Sequence, residues 1–69
     1  MLSDRQVIRA FVNMGANAVQ PSDDPGKFMM LVSTSPVDQD SFAVSVRKAF
    51  PGCSVFTANG SPWVTVVLK

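Results

Sequence analysis

Residues 27–34 read Lys-Phe-Met-Met-Leu-Val-Ser-Thr, five large apolar side chains in succession between polar ends. The run is too short for a helix and is followed by Ser35 and Pro36, so it reads as a strand. Strand side chains alternate, which puts Phe28, Met30 and Val32 on one face. Met29 and Leu31 share the other with Lys27 and Ser33. A strand that is apolar on both sides belongs in the middle of a sheet, and in so small a protein one side of that sheet has little chain left to cover it.

Working upstream, Pro21, Asp23, Asp24, Pro25 and Gly26 supply turn chemistry. They join a short strand at 16–20 to the strand at 27–34 as a hairpin. Before it, residues 4–14 carry Val7, Ile8, Phe11, Val12 and Met14 at helical spacing. Ser3 and Gln6 predict a capping box, Leu2 and Val7 a hydrophobic staple, and Gly15 a C-terminal cap.

Downstream the same order returns. Asp38 is the expected cap of a second helix whose stripe is Phe42, Val46, Ala49 and Phe50, with Ala43 beside it and Pro51-Gly52 as its stop. A short strand at 53–57, a turn at Ala58-Asn59-Gly60-Ser61-Pro62 and a β-branched strand at 63–69 complete the chain. The whole reads αββαββ in a single small α+β domain, residues 1–69. We expect a four-stranded antiparallel sheet with two helices on one face, the strands at 27–34 and 63–69 central and the others at the edges. In element order, over the whole chain, this resembles the ferredoxin-like superfold circularly permuted, its first strand moved to the C-terminus.

Composition points the same way. A chain of 69 residues buries only about 60% of the surface its unfolded form exposes. Yet 46% of its residues are hydrophobic and 16% charged, where an average domain has roughly 25% charged. Self-association or a bound partner is the expected outlet for the surplus apolar surface. The net charge of +1 gives no footprint for duplex DNA or an anionic membrane. The single cysteine, Cys53, cannot form an intrachain disulfide and suits a reducing compartment. No apolar run approaches the roughly 18 residues that span a bilayer, and Ser3, Asp4 and Arg5 break any signal-peptide pattern. A cytoplasmic protein without membrane contact is expected.

Catalytic chemistry finds little to work with. The sequence has no histidine, tyrosine or glutamate, which removes the commonest general base and the commonest neutral metal ligand. Asp23-Asp24 sits in a turn and Asp38 and Asp40 at a helix start, where capping and the helix dipole account for them. Cys53 has no base beside it in sequence and reads as a small apolar residue. No catalytic residue, metal site or cofactor is assigned.

The reading that remains is a non-enzymatic protein-binding module, a homodimer that also contacts an unidentified protein. The uncovered face carries Trp63, Val67 and one of Val55 or Phe56, with either Met29 and Leu31 or Phe28, Met30 and Val32. Phe28, Met30, Val32, Trp63 and Val67 are the expected anchors, with Arg47, Lys48 and Asn59 as rim contacts. A small chain of this kind suits a phage or mobile-element product that inhibits or redirects a host protein. The alternative is single-stranded nucleic-acid binding on the open sheet face, since ferredoxin-like RNA-recognition domains stack bases on aromatics of their central strands and Phe28 and Trp63 fall on such strands here. A third class, small ferredoxin-like hydrolases, shares only the element order. Against an open face of either kind stands a sheet so twisted, or a 16–26 segment so folded back, that both faces are buried within one chain.

Overall fold

The computed structural model describes residues 3–58 and 60–68. Its elements run α1 (Asp4–Met14), β1 (Ala18–Pro21), β2 (Lys27–Leu31), α2 (Pro36–Ala49), β3 (Ser54–Thr57) and β4 (Trp63–Val67). The strands form one sheet in the order β1-β2-β4-β3, every neighbouring pair antiparallel. This is the expected α+β arrangement, αββαββ, with the two apolar strands central.

α1 begins where its caps dictate. The Ser3 hydroxyl accepts from the Gln6 N–H while the Gln6 side chain accepts from the Ser3 N–H, satisfying donors that the first turn cannot. Leu2, the other half of the expected staple, lies outside the described residues. At the far end Gly15 N–H donates to Val12 and Ala16 N–H to Phe11, the doubled closure of a Schellman motif. That closure holds Ala16 in the helix cap and in the core, so β1 starts at Ala18 rather than at 16.

α2 starts earlier than expected. Its N-cap is Ser35, whose hydroxyl accepts from Asp38 N–H; Pro36 occupies the first turn, where a missing N–H costs nothing. Asp38 therefore lies inside the first turn, favourably placed for the dipole, and is not the cap. Cys53 N–H bonds back to Phe50, so β3 begins one residue late, at Ser54. β2 ends at Leu31 and β4 at Val67, and the expected strand end at Lys69 lies outside the described residues.

The two hairpins pair in the same register. Adding 36 to each residue number of the first hairpin's pairs yields the second's: Ala18 opposite Leu31 becomes Ser54 opposite Val67, and Pro21 opposite Phe28 becomes Thr57 opposite Val64. The seam between them is symmetric about the Met29–Thr65 pair. Beyond each end of that seam one more backbone bond is made, Leu68 N–H to Gly26 at 2.7 Å and Val32 N–H to Pro62 at 2.8 Å.

Both helices pack on one face of this sheet. The core is Val7, Phe11, Ala16, Phe28, Met30, Phe42, Val46, Val64 and Val66. Phe11 is its hub, edge-on to Phe28 with ring centroids 5.7 Å apart and tilted against Phe50 at 5.5 Å and Phe42 at 6.4 Å.

Candidate protein interface on the open sheet face

Register decides which side chains reach the uncovered face. Phe28 pairs with Val66 and Met30 with Val64, and all four lie under the helices. Their neighbours point the other way: Lys27, Met29 and Leu31 from β2, Trp63, Thr65 and Val67 from β4, Ser54 and Phe56 from β3, Ala18 and Gln20 from β1.

This corrects part of the expected site. Phe28 and Met30, 2% and 0% exposed, are core residues and cannot act as surface anchors, and the half-buried Val32 packs against the same core. Trp63 and Val67 do lie on the open face, Trp63 40% exposed. Their companions there are Met29, Leu31 and Phe56, with Met29 40% and Phe56 58% exposed. The exposure of these side chains also rules out a sheet buried on both sides within one chain. The polar flanks were the signal in the sequence, because Lys27 and Ser33 share parity with Met29 and Leu31 and mark that set as the outer one.

Arg47 and Lys48 occupy the last turn of α2, exposed on the helix layer and so on the opposite side of the sheet from Trp63 and Val67. Their charges complement the negative end of the helix dipole. They do not rim the open face. Asn59 lies outside the described residues.

The open face is shallow rather than deeply pocketed. A depression of about 500 Å3 on it is lined by Met29, Thr65, Phe56 and Val67 together with Asp24 and Lys27. Among the described strand residues on this face Lys27 is the only charged one, and Asp24 lines the same depression. A smaller notch of about 280 Å3 lies on the other side, between the end of α1 and the start of α2, lined by Ser33, Asp38, Ser41 and Ser45 among others. There the Ser33 hydroxyl donates to Asp38 at 3.3 Å.

Gln39 is the residue that sequence reasoning missed. It is 7% exposed, and its amide donates to the carbonyl oxygens of both Ser33 and Ser61, the latter at 2.6 Å. One side chain therefore ties the β2–α2 connection to the β3–β4 hairpin loop. Among the described residues no three His, Cys, Asp or Glu side chains gather as a metal site would require, and no helix is long and apolar enough to cross a membrane. Comparison with protein-family models, with curated proteins and with solved structures finds no match.

Proposed function

We propose that this chain is a non-enzymatic protein-binding module, working as a homodimer and contacting a partner protein through its open sheet face. The observation that carries the reading is the face itself: Met29, Leu31, Phe56, Trp63 and Val67 grouped on one side of the sheet, with Lys27 the one charge beside them among the described strand residues. Methionine and aromatic residues are enriched, and charges depleted, at the cores of protein interfaces. Contiguous apolar patches of this kind on small proteins mark contact surfaces. Single-stranded nucleic acid fits less well, because such sites pair aromatic platforms with a positive groove, and the depression here has an aspartate beside its lysine.

The test is site-specific photo-crosslinking in cells that make the protein. A photo-reactive residue at position 29 or 63 is expected to capture one protein species reproducibly, while the same residue at position 44, exposed on α2, captures none of it. Capture from position 44 alone, or of nucleic acid from positions 29 and 63, would overturn the reading. Titration of Trp63 fluorescence with oligonucleotides gives an independent check, and no salt-dependent quenching is expected.

A further inference from the structure

Antiparallel pairing leaves alternate backbone groups of an edge strand unused, and the register determines which ones. In the central ladder Leu68 N–H donates to Gly26 and Val32 N–H to Pro62, so the even-numbered residues of β2 and β4 address each other. The odd-numbered residues of β2 address β1, as the bonds from Ser22 N–H to Lys27 and from Asn17 N–H to Leu31 require. On β4 the odd-numbered Trp63, Thr65 and Val67 must then address β3, where Phe56 pairs with Thr65 and Ser54 with Val67. Val55 and Thr57 consequently turn their N–H and C=O groups outward, at the edge of the sheet.

The same rule applied to β1 turns Val19 and Pro21 outward. Pro21 has no N–H to offer, and Asp23 and Asp24 follow it. That edge carries the devices by which sheets avoid pairing with other chains. The β3 edge carries none of them: Ser54-Val55-Phe56-Thr57 has no charge and no proline.

We propose that β3 pairs antiparallel with β3 of a second copy, in the register that sets the two Phe56 side chains opposite each other. A second copy is the occupant this edge fits, because that register is self-complementary. Val55 of each chain faces Thr57 of the other, each pair exchanging both N–H···O=C bonds, about a two-fold axis through Phe56. Phe56 then falls at a non-hydrogen-bonded pair, where strands lie closest, with Cα atoms about 4.5 Å apart. Its ring, 58% exposed in the single chain, packs against its own copy as cross-strand aromatic pairs do. The two sheets become one of twice the width, and the open faces join with Met29 and Trp63 still uncovered. The inference rests on the dimeric part of the reading above and leaves the sheet face to the partner protein.

Two measurements on the full chain test it: molar mass by light scattering over a concentration range, and amide hydrogen exchange at low and high concentration. The mass is expected to reach twice 7.4 kDa. Over the same range exchange at Val55 and Thr57 slows at least about tenfold while Val19 is unchanged. Thr57→Pro removes an outward N–H without touching the β4 ladder, and Phe56→Lys places like charges opposite each other. Both are expected to return the mass to 7.4 kDa with far-UV circular dichroism retained, while Met29→Lys remains dimeric. A dimer whose Val55 and Thr57 amides stay unprotected, or one that Met29→Lys dissociates and Thr57→Pro does not, overturns edge pairing and leaves a dimer through the sheet face. A monomer at every concentration overturns both edge pairing and the dimeric reading. Exchange in the unsubstituted chain decides the matter even if a variant fails to fold.

Discussion

Replacing Gln39 by methionine keeps the length of the side chain and removes its donors. The amide holds the carbonyls of Ser33 and Ser61, groups 22 residues apart from Gln39 at the farther end. Each such bond contributes about 1 kcal/mol net, and partly buried carbonyls left without a donor add about 1 more, so Gln39→Met should cost about 2–3 kcal/mol. Total stability at 0.05–0.15 kcal/mol per residue is only about 3–10 kcal/mol for a chain this size. The melting temperature should therefore fall by roughly 10–20 °C. Urea titration followed by far-UV circular dichroism measures the loss as a shift in midpoint at constant slope. Gln39→Glu sharpens the test. Its ionised carboxylate faces two carbonyl oxygens, so its folded-state pKa must stand above the ordinary glutamate value, and its penalty is full above that raised pKa and declines as pH falls through it. A Gln39→Met midpoint within about 0.5 kcal/mol of the parent, a typical effect of surface substitutions, would refute the clasp. A Gln39→Glu variant that weakens on acidification relative to the parent would do the same.

Three further substitutions probe the frame that presents the face. Gly26 has φ +79° and an added Cβ would stand 3.0 Å from the Leu68 carbonyl oxygen, whereas Gly52, at φ +87°, has nothing within 4 Å of that position. Gly26→Ala should therefore cost about 2–3 kcal/mol and Gly52→Ala about 1–2; equal urea midpoints would show that the Leu68 contact contributes nothing. Phe11→Ala empties the hub of the core and should cost about 3–5 kcal/mol, enough to leave much of the population unfolded at 25 °C by circular dichroism. A cooperative fold within about 1 kcal/mol of the parent would show that Phe28, Phe42 and Phe50 close over the gap.

Element order and strand order were legible because they rest on local signals. The capping box at Ser3, the glycine stop at Gly15 and the two apolar strands each point to one conformation. The open face was legible only in part. That Phe28 shares a side with Met30 follows from alternation alone, but which side meets the helices depends on pairing with β4, thirty-odd residues away and fixed by the whole core. Trp63 and Val67 were placed on the open side; the β2 residues beside them are Met29 and Leu31 rather than Phe28 and Met30. Gln39 was hidden for a different reason. Between two aspartates at a helix start it looks like another solvated polar residue, and only the arrival of the hairpin loop at Ser61 buries it. A rim role for Arg47 and Lys48 fails because the sheet lies between their helix and that face.

The repeat at a spacing of 36 has a consequence for cooperativity. Each half contributes one edge strand and one central strand, and each central strand finds its second neighbour only in the other half. Neither half holds a closed core, since Phe11 of the first packs on Phe42 and Phe50 of the second as well as on its own Phe28. A chain severed between Ser33 and Ser35 would yield not two small domains but two complementary fragments, each with a bare strand edge suited to the other. Folding is therefore a joint event of the two halves, and whatever loosens the Met29–Thr65 seam loosens both at once.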